Sequence, residues 1–228
     1  MGIRQRAVDV EGKEERRHAI LDAAERLLAL APERIANVAE VADEAGLAKG
    51  TVYLYFPSKD ALLLALHERH VDGYFSALIA FLGRSPAVAI DDLLAITLAH
   101  LAAKPAFLSL ATRCLGSMET DVPRETALAF RARMGERLAA AGQGLERHFP
   151  ELMPGDGIAL LRHTYALILG LWQMSSTGAA SQGLPGEVCI GQAFDYPQDL
   201  ARALRALWEG AIGTRLRQPA GESPAAAA

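Results

Sequence analysis

The chain of 228 residues has only two cysteines, Cys114 and Cys189. Two thiols form no disulfide framework and suit a reducing compartment such as the cytosol. Aromatic residues make up 6% of the chain, and no run alternates β-branched with polar residues. Strand signals are therefore scarce and the expected class is all-α. No apolar stretch reaches the length of a membrane span, because Asp91, Asp92 and His100 interrupt one candidate and Arg162 and His163 the other. The polar first seventeen residues lack the apolar core of a signal peptide, and the opening Met-Gly-Ile-Arg-Gln-Arg lacks the Ser or Thr of a myristoylation signal. An excess of basic residues is missing too. The net charge is −4, and residues 1–60 hold nine Lys and Arg against eleven Asp and Glu. Any contact with nucleic acid must then rest on a few well-placed cations and show a shallow salt dependence.

Signatures of catalysis are also wanting. There is no nucleophile elbow, phosphate loop or metal box, and Gly142-Gln143-Gly144 lies in a helical stripe with no strand before it. Asp91-Asp92 fits the first turn of a helix. His67 and His70 share a helix face but have no third ligand at a metal-binding spacing, so they are expected to be solvated. No enzyme activity, cofactor or metal site is expected.

What the sequence does contain is a stretch from Asn37 to Phe56 with two helical halves. Asn37 followed by Glu40 makes a capping box, and Val38, Val41, Ala42 and Ala45 fall on one face. Gly46 stands where a helix end turns left-handed. The second half, about Ala48 to Tyr55, places Val52 and Phe56 on one side and Gly50 and Leu54 on the other. Thr51 and Tyr53 flank that outer side, and Lys49 sits in the first turn. A short helix exposed to water is usually covered in charge, so a face of Gly, Leu, aromatic and hydroxyl groups implies a partner. Gly50 permits close backbone approach and Leu54 suits a thymine methyl. Thr51, Tyr53 and Tyr55 suit phosphates, and Lys49 suits guanine or phosphate. An ordinary helical hairpin within a bundle, with its tyrosines as rim packing, fits the same residues.

Three segments then match a known pattern: Ile20 to Leu28 (I-L-D-A-A-E-R-L-L), Val41 to Phe56 (V-A-D-E-A-G-L-A-K-G-T-V-Y-L-Y-F) and Pro57 to Leu66 (P-S-K-D-A-L-L-L-A-L). Together they resemble the TetR family of bacterial repressors over the first quarter to third of the chain. The resemblance implies a three-helix, helix-turn-helix DNA-binding domain followed by a larger helical domain for dimerisation and ligand binding, about nine helices in all. The candidate DNA-binding set is Asn37, Lys49, Gly50, Thr51, Tyr53, Leu54, Tyr55 and Lys59, with Arg4 and Arg6 of a flexible arm over residues 1 to about 12 suited to the minor groove. Two positions depart from the family pattern. Ala39 stands where some relatives carry a base-reading polar side chain, and Ala48 replaces a common Ser cap.

Along the chain, helix 1 is expected over about Glu14 to Leu30 and is ended by Pro32. A long helix capped by Ser58 carries Leu62, Leu66, Val71, Phe75, Leu78 and Leu82, with the domain boundary inside it near Glu68. The expected division is 1–68 for DNA binding, 69–217 for ligand binding and dimerisation, and 218–228 as a disordered tail. Further helices are expected at about Ala87–Ala103, Pro105–Ser117, Asp121–Phe149, Asp156–Ser176 and Pro197–Leu216, with a Gly-rich loop between the last two. Those two are apolar on two sides, and Leu160, Leu167, Leu171, Leu200, Leu204, Leu207, Trp208 and Ala211 are the candidate dimer-interface residues of a four-helix bundle formed by two copies. The resemblance also implies an apolar small-molecule effector, for which Phe107, Cys114, Met118, Phe130, Met134, Thr164, Tyr165 and Trp172 are candidate lining residues. The function so implied is that of a cytoplasmic, ligand-responsive repressor that binds a palindromic operator as a homodimer. A helical adaptor that offers the Leu54 face to a partner protein, or an all-helical enzyme, stands as the alternative.

Overall fold

A computed structural model of the chain describes residues 2–32, 34–117, 122–180 and 195–213. Among these residues there are nine α-helices and no strand, as the composition implies. The elements are α1 (Gly2–Leu30), α2 (Val38–Glu44), α3 (Lys49–Tyr55), α4 (Lys59–Arg84), α5 (Ile90–Thr97), α6 (Pro105–Ser117), α7 (Arg124–His148), α8 (Asp156–Ala180) and α9 (Tyr196–Gly213). They fall into two compact units. One comprises residues 1–77 and 97–136, the other 78–96 and 137–228, so α4 and α7 each contribute to both.

In the first unit, α1 begins at Gly2, well before the expected start near Glu14. No proline occurs before Pro32, so nothing interrupts the helical ladder, and Gly12 alone costs about 1 kcal/mol of helix propensity. Ile20, Ala23, Ala24 and Leu28 of α1 are buried against Val38, Val41 and Ala42 of α2, Val52 and Phe56 of the α3 end, and Leu62, Leu63 and Leu66 of α4. Leu110 and Cys114 of α6 complete this core. The start of α4 is capped by Ser58, whose Oγ accepts from the Ala61 N–H at 3.0 Å. A second cluster joins Leu64 of α4 to Val122, Ala127 and Phe130.

His67 and His70 are not solvated. His67 is buried and stacks on Phe107 with ring centroids 5.6 Å apart and planes 15° from parallel. His70 meets the same ring at 5.7 Å, and its Nε2 is 3.6 Å from Glu25 of α1. The correction has a simple cause. α4 is enclosed on several faces, so a polar residue one turn from Leu63 and one turn from Val71 is carried inward with them.

The second unit contains α8 and α9 packed together. Trp208 donates from Nε1 to the Thr164 hydroxyl at 3.0 Å, and Tyr196 donates to the Ile168 carbonyl at 3.2 Å. α7 and α8 meet backbone to backbone. A methyl on Gly157 would lie 2.9 Å from the Cα and carbonyl carbon of Gly142, and closer still to its oxygen. Glu146 closes the intervening turn, its Oε1 accepting from the N–H groups of Gly155 at 2.8 Å and Gly157 at 3.1 Å. His148 Nε2 donates to the Leu82 carbonyl at 2.8 Å, tying α7 to the end of α4.

The helix expected over Ala87–Ala103 is shorter. α5 spans Ile90–Thr97, and one wider π turn over Leu98–Ala102 follows, closed by the Ala103 N–H on the Leu98 carbonyl at 2.8 Å. α8 runs on to Ala180. Leu216, Asp121, the tail 218–228 and most of the expected Gly-rich loop lie outside the described residues.

Candidate nucleic-acid interface

The hairpin of α2 and α3 is built from local rules. Asn37 Oδ1 accepts from the N–H groups of Ala39 at 2.9 Å and Glu40 at 3.1 Å, and Glu40 Oε2 accepts from the Asn37 N–H at 2.7 Å. These are both halves of the capping box. Arg34 grips the same carboxylate at 2.8 and 2.9 Å. The Asn37 backbone bond and then Arg34 hold the Glu40 carboxyl below the usual carboxylate range. At the other end Gly46 has φ +67°. There the Gly46 N–H bonds the Asp43 carbonyl at 3.1 Å and the Leu47 N–H the Ala42 carbonyl at 2.9 Å. That pair of bonds is a Schellman closure, which needs a left-handed residue and therefore glycine.

α3 has seven residues and no side-chain cap at Ala48, so it cannot hold itself as a helix in water. Its position depends on Val52 and Phe56, both buried in the hairpin core. The Arg17 guanidinium of α1 lies 5.3 Å above the Phe56 ring. With these anchors inside, the remaining side chains turn outward. Lys49 and Gly50 are exposed, Tyr53 is 42% exposed, Leu54 is 82% exposed, and Thr51 and Tyr55 are half-buried at the edges. A Cβ on Gly50 would meet nothing within 4 Å. The outward face that the sequence implies is therefore present, with two qualifications. Asn37 commits its side-chain oxygen to the cap, and Lys59 is half-buried with Nζ 3.4 Å from the Ile35 carbonyl rather than free in solvent.

Ion pairs brace the hairpin against its neighbours. Arg26 Nε bonds Glu44 at 2.6 Å, linking α1 to the end of α2. Arg69 of α4 pairs with Asp22 of α1. Just behind α3, Glu68 is 8% exposed and takes a two-pronged bond from Arg133 of α7, at 2.5 and 2.8 Å. Their mutual bonding raises the Arg133 guanidinium further above its ordinary value. Sequence reasoning missed this pair, although a signal was present. The stripe Leu64, Val71, Phe75, Leu78, Leu82 keeps helical spacing only if it passes through position 68, and a carboxylate on a buried stripe requires a cation. An open cleft of about 90 Å³ lies beside the pair, floored by Phe56, Leu64 and Phe130. It is several-fold smaller than the pockets that enclose drug-sized ligands.

The candidate effector residues divide between the two units. Phe107, Cys114, Phe130 and Met134 belong to the first unit, and Thr164, Tyr165 and Trp172 to the second. Met118 lies outside the described residues. Cys114 is packed into the hairpin core, where burial pushes its thiol up to about 12. Thr164 is likewise interior, its hydroxyl taken by Trp208. Tyr165 and Trp172 are half-buried, and Trp172 meets Tyr196 edge-on at 5.3 Å.

The dimer-interface set also divides. Leu160, Leu200, Leu204 and Trp208 are buried within the single chain, Trp208 at 0% exposure, which corrects their assignment to a surface between copies. Tyr196, Leu200, Leu204 and Trp208 repeat every four residues and form the inward stripe of α9. Leu167, Leu171, Leu207 and Ala211 are half-exposed, and Met174 is exposed.

Fold and hairpin together define a class: an all-helical regulator that presents a helix-turn-helix. Residues 20–66 match the model of bacterial regulatory proteins of the tetR family, and residues 68–215 match that of the tetracyclin repressor-like C-terminal domain. The chain belongs to the TetR family of bacterial regulatory proteins. It is 32% identical over 98 residues to the HTH-type transcriptional regulator YuxN of Bacillus subtilis, a match covering 42% of this chain and 34% of that protein. It is 44% identical over 59 residues to the HTH-type transcriptional regulator EthR of Mycobacterium tuberculosis, covering 26% of this chain and 27% of that one. These matches thus span about a third and about a quarter of the relatives' lengths. Among solved structures, the fatty acid degradation regulator FadR of Bacillus halodurans shares the fold with a TM-score of 0.57 at 19% identity, covering 89% of this chain and 97% of that one. The multidrug binding protein EbrR, solved with imidazole, does so with a TM-score of 0.51 at 19% identity, covering 84% and 94%.

Proposed function

We propose that the protein is a cytoplasmic transcriptional repressor that binds a palindromic operator as a homodimer and is released by an apolar small-molecule effector. One observation carries the DNA-binding part. α3 is pinned by Val52 and Phe56 and turns Lys49, Gly50, Tyr53 and Leu54 to solvent, a face without value to the fold and suited to a major groove. In this reading Thr51 and Tyr55 contact phosphates from the edges, while Asn37 and Lys59 position the hairpin through their backbone bonds.

Residues 1–68 act as the DNA-binding domain and 69–217 as the effector and dimerisation domain. Leu167, Leu171, Leu207 and Ala211 supply the apolar contact between copies, since they remain half-exposed after the protomer has folded. The effector class rests on the family alone; EbrR, which shares the fold, is a multidrug binding protein. No single described helix is long and apolar enough to cross a membrane.

The test is a gel-shift assay with DNA from upstream of the protein's own gene. Wild type should retard one fragment, and Lys49→Ala with Tyr53→Ala should abolish the band while leaving the thermal unfolding midpoint unchanged. Absence of a shift on any genomic fragment at low salt would favour the helical adaptor instead.

A further inference from the structure

On the outward face of the hairpin Lys49, Thr51 and Tyr53 carry hydrogen-bonding groups, whereas the polar groups at the start of α2 are already engaged. Asn37 Oδ1 is occupied by the Ala39 and Glu40 N–H groups, and the Glu40 carboxylate is held by Arg34 and the Asn37 N–H. Ala39 and Ala48 carry only methyl groups, and Gly50 carries no side chain. Among the large apolar side chains of the described residues Leu54 is the most exposed, at 82%. It stands one helical turn beyond Gly50 on the same side of α3, where a Cβ at position 50 would meet open space. α3 can therefore lie close to a surface at Gly50 while Leu54 is pressed against it.

In the major groove nearly every base-edge group that distinguishes the four pairs is a nitrogen or oxygen. The apolar exception is the methyl at C5 of thymine. A leucine pressed against N7, O6 or N4 would strip water from a polar group without replacing its hydrogen bond. The same leucine against a C5 methyl removes two apolar surfaces from water. 5-Methylcytosine carries its methyl at the same ring position as thymine, so the contact does not separate the two bases. We propose that Leu54 is a specificity-determining residue that reads a 5-methylpyrimidine, thymine or 5-methylcytosine, once in each half-site. The inference rests on the reading of α3 as a major-groove helix.

The experiment uses the full-length protein and the operator defined by footprinting its upstream region. Each thymine of the protected half-site is replaced in turn by deoxyuridine, which removes the methyl and leaves base pairing intact. One position should lose about four-fold in affinity, the value of one buried methyl, and about fifteen-fold when changed in both half-sites. Cytosine placed there should bind more weakly than 5-methylcytosine by a similar factor. Leu54→Ala should bind the thymine and deoxyuridine operators equally, with an unchanged thermal midpoint because the side chain makes little contact with the fold. Lys49→Ala should weaken all operators alike and keep the methyl preference. A flat deoxyuridine scan on an operator that is still bound overturns the role of Leu54 and leaves the regulator standing. A methyl preference that survives in Leu54→Ala assigns the readout to another side chain and also overturns it. Failure to bind any DNA removes both.

Discussion

Single side chains here are decided by what surrounds them, and two positions show how differently the same change can act. Alanine at Gly157 drives a methyl into the Gly142 backbone, where neither helix can yield without moving the α7–α8 turn. Gly157→Ala should cost about 3 kcal/mol, the upper end for overpacking, measured as a lower midpoint in chemical denaturation. Gly170 and Gly210 lie inside helices with open space at the Cβ position. Alanine at either should stabilise by about 0.5–1 kcal/mol through helix propensity. His67 supplies a pH signature. Burial first, and then the neighbouring His70, holds it down to about 4, with Glu68 pulling the other way. Because that lies below the unfolded value of 6.5, the neutral ring is the form the fold accepts. Its contribution is complete above pH 6.5 and is lost progressively as pH falls through 4, amounting to about 3 kcal/mol from the linkage relation. His70 acts in the same direction, since burial outweighs Glu25 while Lys104 and Arg69 oppose its charging. Thermal midpoints should therefore drop between pH 6.5 and 4, and His67→Phe, which can keep the stack on Phe107, should flatten that slope.

Among the elements, α3 and α7 show where sequence patterns suffice and where they stop. The capping box, the glycine closure and the inward placement of Val52 and Phe56 were all legible, because each depends on residues within one or two turns of each other. Asn37→Ala removes the acceptor for two N–H groups and should cost about 1 kcal/mol. Its larger effect should be on operator affinity, read in the same gel-shift assay, because α2 sets the angle of α3. α7 behaves differently. Its buried residues Ala127, Phe130, Ala141 and Leu145 recur at helical spacing, but the value of Arg133 could not be read from that spacing, since its partner lies 65 positions away on α4. The effector residues illustrate the same limit. Aromatic and sulfur side chains can be listed from sequence, yet Cys114 proved to be hairpin core and Thr164 the acceptor for Trp208.

For the whole molecule, the proposed dimer separates two kinds of apolar residue that share a helix. Leu171→Arg combined with Leu207→Arg places charge on side chains that are only half-buried in the protomer. The variant should stay folded, sediment as a monomer, and lose roughly 100-fold or more in operator affinity, because a single hairpin forgoes the gain from binding two half-sites together. Leu204→Arg should instead unfold the chain, since that side chain is wholly interior. If both variants sediment as folded dimers, the proposed contact is misplaced.

Local order came from the chain itself. Scarce strand formers, helical spacing and the cap and closure residues already specified an all-helical protein with an outward-facing two-helix hairpin. They could do so because hydrogen-bonded turns and helical faces are short-range. Packing settled the rest: which stripe of α9 faces inward, that two histidines on α4 are drawn in against Phe107, and that Glu68 meets Arg133. In each case the energy comes from excluding water between segments far apart in sequence, and no spacing within a single helix reports which distant surface will arrive to do it.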